Sequence, residues 1–181
     1  MAEMNGHKYG NFHSYYTFHG QESRSLLLPQ NFFLSLWTSQ GQPLSFTLLD
    51  IGCNEGNLTI ELYNRAKLEL PTHIKCCALG VDLDSELIDR ANLKTVDVTD
   101  ISFQTVDIMS KEEAYGVSLI ERYCVANGIR GFSFVSLFSI TMWIHLNHGD
   151  VGLETCLSLG DRKSTRLNSS HPSISRMPSS A

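Results

Sequence analysis

The sequence predicts an α/β fold built on a parallel sheet, and three observations carry that expectation. Four short apolar runs recur along the chain, the first three close on a glycine turn or an aspartate, and stretches with helical spacing of apolar residues separate them. Strands of this kind alternating with helices form a parallel sheet covered on both faces, joined by right-handed crossovers.

Residues 1–8 read as disordered. The segment from Tyr9 to His19, YGNFHSYYTFH, is dense in aromatics without a period of two or 3.6, and reads as an ordered lead-in or lid. From Leu26 to Trp37 the apolar residues Leu27, Leu28, Phe32, Phe33 and Leu36 are spaced for one helix, which Gly41-Gln42-Pro43 breaks. Phe46 to Ile51 is the first strand, Gly52-Cys53-Asn54-Glu55-Gly56 the turn after it, and Leu58 to Ala66 the next helix. Ile74 to Val81 is the second strand; Ser85 is a candidate cap for a helix through Ala91, with Ile88 on its buried face. Ile101 to Val106 is the third strand, stopping at Asp107, Glu112 to Ala126 a further helix, and Gly131 to Ile140 the fourth strand.

Composition narrows the class. The chain has 181 residues, 42% hydrophobic and 18% charged, enough for one soluble domain with a real core. Its 14 basic against 19 acidic residues leave a net charge of −5, so no strongly basic surface announces nucleic acid or anionic lipid. Cys53, Cys76, Cys77, Cys124 and Cys156 are odd in number and lack CxxC spacing, which fits a reducing compartment, cytoplasmic or nuclear, better than a disulfide framework or zinc site. No apolar leader opens the chain, and no stretch approaches the roughly 20 apolar residues of a membrane span.

Residues 161–181 stand apart: seven serines, four basic residues and no periodicity. Asp161 to His171 back-translate without a mismatch to a common short-read sequencing adapter, and Ser175 to Ala181 fit its remainder in another frame. The segment is therefore expected to be non-native, with the domain itself at residues 9–160. Without it the chain carries 10 basic and 18 acidic residues, a net charge of −8.

In open parallel sheets the ligand sits at the carboxyl ends of the strands, near the point where strand order reverses. Here that set is Asp50 to Gly56, Asp82, Asp107 with Ile108, and Leu137 to Thr141. Gly52 and Gly56 let backbone approach a ligand and let helix pack near strand. The turn is not GxGxxG, because Asn54 stands where the middle glycine would be, so a dinucleotide pyrophosphate is disfavoured. Asp82 is placed to accept from both hydroxyls of a ribose, and Asp107 with Ile108 suits an adenine. Asp50 is expected to brace backbone, and Asp82 also reads as an ordinary charge at a helix start. Adenine and ribose without pyrophosphate describe S-adenosylmethionine better than a nicotinamide cofactor.

The segments LLDIGCNEG, GVDLD and SITMWIHLNHGD (Ser139 to Asp150), with the upstream YGNF and YY, resemble the bicoid-interacting-protein (Bin3-domain) family of RNA methyltransferases. The resemblance covers roughly Tyr9 to Leu159. The first two segments are shared with many class I methyltransferases; the third and the aromatic lead-in are specific. SITMWIHLNHGD is similar to the members acting on RNA 5′-monophosphate ends, since the triphosphate-capping relative has Lys at the place of Met142 and Trp at that of His148.

The resemblance implies a class I S-adenosylmethionine-dependent, Rossmann-like sheet, incomplete after strand four, and methylation of the 5′-phosphate of an RNA of the transfer or precursor-microRNA class. It implies cofactor contacts at Arg24, Gly52, Asn54, Asp82, Asp107, Ile108 and Phe138, the last departing from the usual Met or Leu. Tyr15, Tyr16, His145 and His148 are implied to wall the RNA phosphate. No catalytic side chain is singled out, because a phosphate monoester with its second pKa near 6 is already largely dianionic at neutral pH. His145, His148 and Asp150 have metal-ligand residue types but no second cluster, so no metal is expected. A monomer is expected. Two alternatives remain open: a class I methyltransferase for a small molecule or protein, and an unstable, inactive fragment.

Overall fold

A computed structural model describes residues 24–110, 115–138 and 140–164. A short 3-10 helix, Arg24–Leu27, leads to α1 (Phe32–Ser39), β1 (Ser45–Ile51), α2 (Asn57–Glu69), β2 (Lys75–Asp82) and α3 (Ser85–Lys94). Then follow β3 (Ile101–Thr105), α4 (Tyr115–Ala126), β4 (Phe134–Ser136) and α5 (Thr141–Ser164). The strands form one parallel sheet in the order β3-β2-β1-β4. That is the order in which a Rossmann-like sheet begins, with its reversal between β1 and β4.

β1 is buried on both faces, as an inner parallel strand must be, and its alternating side chains feed two cores. Phe46 and Leu48 pack with Cys76, Ala78, Ile101 and Phe103 beneath α1, α2 and α3. Leu49 and Ile51 pack with Leu79, Val81 and Val106 beneath Ile120 and Tyr123 of α4. Phe33, fully buried, sets its ring edge-on to Phe46 and Phe134 with centroids 5.8 and 5.5 Å away, tying α1 to the β1/β4 pair.

Several expectations are corrected. The helix expected over Leu26 to Trp37 is two elements: the 3-10 turn stops before Leu28, and α1 starts after Pro29. Proline lacks the N–H a continuing helix needs and disfavours helical geometry in the residue before it. The cap of α3 is Asp84, whose carboxylate accepts from the N–H groups of Glu86 and Leu87; Ser85 is the first helical residue. The fourth strand is three residues long, Phe134–Ser136, pairing only with Leu48 to Asp50. The other apolar residues of the expected ten-residue run flank it as loops, with Phe132 fully buried ahead of the strand. Helix α5 runs on to Ser164, so residues 161–164 are helical, contrary to the reading of residues 161–181 as aperiodic.

Residues 1–8, the lead-in through His19 with Tyr15 and Tyr16, and residues 165–181 lie outside the described residues. Among the described residues no helix is long and apolar enough to cross a membrane, and Cys53, Cys76, Cys77 and Cys156 are buried free thiols.

Candidate functional site at the carboxyl ends of the strands

The turn after β1 is built largely by backbone. The N–H groups of Gly52 and Cys53 both donate to the Val81 carbonyl, at 2.8 and 3.0 Å, so the turn is sewn to the end of β2 as soon as β1 finishes. Asn54 follows in left-handed geometry at φ 53°, a conformation asparagine tolerates better than most residues, and its side-chain oxygen accepts from the Glu55 N–H at 2.9 Å. Gly56, at φ 79°, opens α2. A Cβ there would stand 2.6 Å from the Phe103 ring and 3.0 Å from the Ala91 methyl, so this glycine is what brings helix and sheet together. The space left by Gly52 is taken by Ile140, into which any added Cβ would drive.

Asp82 closes the same crevice. One carboxylate oxygen accepts from the Asn54 N–H at 2.8 Å and the other from the Asp84 N–H at 3.1 Å. Burial raises its pKa, and the hydrogen bonds from Asp84 and Asn54 oppose that rise. The Leu83 backbone adds a weaker hydrogen-bond contribution in the same direction.

Asp50 lies one layer below. It is in register with Ser136 across β4 and is buried. The Ser136 and Thr59 hydroxyls each donate to one of its oxygens at 2.6 Å, so it joins β1, β4 and α2. Desolvation pushes its pKa up, the two hydroxyls pull it down, and Arg24 lowers it further by charge. The expected bracing role is thus carried by side chains rather than by backbone.

The remaining candidates divide by position. Asp107, half-buried after β3, turns its carboxylate back onto the Met109 N–H at 2.9 Å, while Ile108 packs on the α4 side of the sheet. Phe138, after β4, packs on the opposite core beneath α1 to α3. Arg24 opens the 3-10 helix and is half-buried. His145 and His148 both lie in the first half of α5, which Gly149 interrupts at φ 64° and ψ −165°. His145 is exposed and paired to Asp150 at 2.8 Å across that interruption. His148 is half-buried, and its Cβ lies against Gly152, where an added Cβ would also meet the Met109 methyl at 3.4 Å. Among the described residues no group of three or more His, Cys, Asp or Glu is arranged to hold a metal ion.

Sequence reasoning missed the supports. Lys94, at the end of α3, reaches the Glu55 carbonyl at 3.0 Å, the Asn57 side-chain oxygen at 2.6 Å and the Glu55 carboxylate at 3.3 Å, pinning the turn from outside. Gly80 admits the Phe103 ring, 2.5 Å from where a Cβ would be. A glycine inside a strand is a readable signal of such an approach; the partners of Lys94 have none.

No family model matches the chain. By sequence it is 35% identical over 161 residues to a pre-miRNA 5′-monophosphate methyltransferase of Xenopus laevis, the match covering 82% of this chain and 60% of that protein. The chain is thus similar in sequence to an RNA 5′-monophosphate methyltransferase over most of its own length. It is 34% identical over 152 residues to the RNA 5′-monophosphate methyltransferase of Homo sapiens, covering 80% of this chain and 51% of that one. The chain therefore spans about half to three-fifths of the length of these curated relatives. Among solved structures the bifunctional kinase-methyltransferase WbdD aligns with a TM-score of 0.48 at 20% identity, over 76% of this chain and 26% of that one.

Proposed function

We propose that the chain carries the S-adenosylmethionine-binding half of a methyltransferase acting on the 5′-monophosphate of RNA. The observation that carries this reading is Asp82: a half-buried carboxylate at the end of β2, beside the β1 turn, that accepts from the N–H groups of Asn54 and Asp84. A carboxylate oxygen accepts more than one donor, so Asp82 suits two vicinal ribose hydroxyls, and the turn beside it lacks the glycine pattern that a pyrophosphate requires. The donor set thus fits the cofactor. In this reading Gly52 and Asn54 hold the methionine end with Arg24, Asp82 holds the ribose, Asp107 and Ile108 meet the adenine, and Phe138 flanks it from the other core.

When bound, S-adenosylmethionine supplies an electrophilic methyl group. The chain's own task is alignment and exclusion of water, because the acceptor phosphate is already largely dianionic near neutral pH and needs no general base. In this reading half-buried His148 meets the acceptor phosphate, and His145, one turn earlier, sits farther into solvent. The RNA end as substrate rests on the relatives' activity. The buried free thiols suit a reducing compartment, the cytosol or nucleus.

The test is calorimetric titration of S-adenosylhomocysteine into the full chain and its Asp82→Ala variant, followed by methyl transfer to 5′-phosphorylated and 5′-hydroxyl RNA. Binding that the variant loses, with transfer only to the phosphorylated end, is expected. A folded chain that does not bind overturns the cofactor reading, and transfer indifferent to the phosphate overturns the substrate.

A further inference from the structure

The segment carrying Arg24 touches the apolar core at Leu28, which is partly buried against it. Leu26 and Leu27 are 78% and 75% exposed, and among the described residues of this segment only Ser25 is buried. The rest of what holds it is polar. The Arg65 guanidinium of α2 donates to the carbonyls of Ser25 and Pro29, and to that of Leu28 at 3.2 Å. Its Nε donates to Glu69 at 2.8 Å, which aims the fork. Glu69 accepts the Phe33 N–H with its other oxygen at 2.7 Å, capturing the start of α1, and the Ser25 hydroxyl donates to Glu61 at 2.7 Å. Ser25, next to Arg24, is thus held through both its carbonyl and its side chain. Arg24 in turn lies close enough to Asp50 for its charge to favour the ionised form of that buried group, pulling its pKa down against the larger rise from burial.

We propose that Arg65 is a positioning residue that, with Glu61 and Glu69, latches the Arg24–Pro29 segment onto α2 and so fixes Arg24 at the carboxyl end of β1. This rests on the cofactor reading above, in which Arg24 meets the methionine end of S-adenosylmethionine. Only a guanidinium serves: three carbonyls and a carboxylate need a planar fork with several directed donors, which an ammonium does not offer.

The test uses the full chain with Arg24→Ala, Arg65→Lys, Ser25→Ala and the double variant Arg24→Ala/Arg65→Lys, reading hydrogen exchange and S-adenosylhomocysteine binding. Arg65→Lys is expected to speed exchange over residues 25–33 about tenfold or more while β1 and β2 keep their protection. It is expected to weaken binding by about tenfold, and the double variant should bind no worse than Arg24→Ala alone, because both changes remove the same contact. Unchanged exchange over residues 25–33 overturns the latch whatever binding shows. Additive losses in the double variant, or normal binding by Arg24→Ala where Asp82→Ala fails, overturn the positioning role and leave the cofactor reading standing. Absence of binding by the unaltered chain sinks the cofactor reading itself, and the positioning role with it, while exchange still reports whether the latch exists. If Arg65→Lys loses protection throughout, Ser25→Ala decides: it removes the hydroxyl's link to Glu61 while leaving the Arg65 fork in place, and it must loosen residues 25–33 alone.

Discussion

The two ends of the candidate site are built differently. At the β1/β2 end the groups that would meet a cofactor are fixed by backbone: the turn from Gly52 to Gly56 is sewn to Val81, and Asp82 is held by two N–H groups. At the β4 end the strand is three residues long, and the candidate groups ride on α5, whose two halves meet at an interruption with open space around it. The first end is preorganised and dense, the second is adjustable and exposed. A small cofactor that must be oriented to within fractions of an ångström suits the former. A polymer end, varied in sequence and presenting mainly a charged phosphate, suits the latter.

Glycine substitutions break this comparison most sharply. Gly56→Ala forces a methyl into the Phe103 ring from a left-handed backbone, combining overpacking with a conformational cost, and is expected to lose about 3 kcal/mol. Gly149→Ala meets nothing within 4 Å and bears only the backbone cost of a conformation that glycine almost alone adopts, about 2 kcal/mol. Denaturant unfolding of both measures the difference; equal losses would mean that the two ends are equally dense.

Asp50→Asn probes the layer beneath the dense end. An amide retains one acceptor, so either the Thr59 or the Ser136 hydroxyl loses its partner, at a cost of about 1–2 kcal/mol. The pH dependence carries the signature. Burial raises the folded pKa of Asp50 above 3.8, so its contribution is fully present below that value and is lost as pH rises through the raised one. The amide has no such slope, and its deficit relative to the parent should shrink with rising pH. Asp82 shifts in the same direction and interacts with Asp50 by charge, so the comparison is made between parent and variant at each pH.

The elements at the dense end were legible because each strand there finishes in punctuation: glycine turn, aspartate, aspartate. The β4 end was misread because GFSFVSLFSI is apolar at almost every second place and beyond, which fits a long buried strand as well as two loops around a short one. Phe132 and Phe138 are apolar because they fill cores from loops, and no local pattern separates that from a strand. The broken helix before β1 was misread for a related reason: its apolar spacing continues across Pro29, although the backbone does not. Apart from Glu69, one helical turn from Arg65, the partners of Arg65 and Lys94 lie 36 to 40 positions away in sequence, and only the folded chain joins them.

Lys94→Met sharpens the comparison more gently. It removes three contacts to the Glu55–Asn57 turn from a partly exposed side chain, so the stability loss should be about 0.5–1 kcal/mol. The effect on binding should exceed that on stability, because the turn would sample geometries in which the Asn54 N–H leaves Asp82. Calorimetry with S-adenosylhomocysteine alongside denaturant unfolding separates the two; binding that falls only in step with stability would mean that the turn is held by its backbone alone.

The smallest effect belongs to Asp150→Asn at the other end. His145 and Asp150 are 53% and 87% exposed at the side chain, so their 2.8 Å pair is screened by water and its loss should change stability by less than about 0.5 kcal/mol. Its effect, if α5 meets a phosphate, is on charge rather than fold: removing a carboxylate beside His145 removes repulsion toward an anionic RNA end. Affinity for 5′-phosphorylated RNA should therefore rise, most at low salt, while S-adenosylhomocysteine binding stays as it was. Weaker RNA binding would instead mean that Asp150 orients His145, and that this end is preorganised after all.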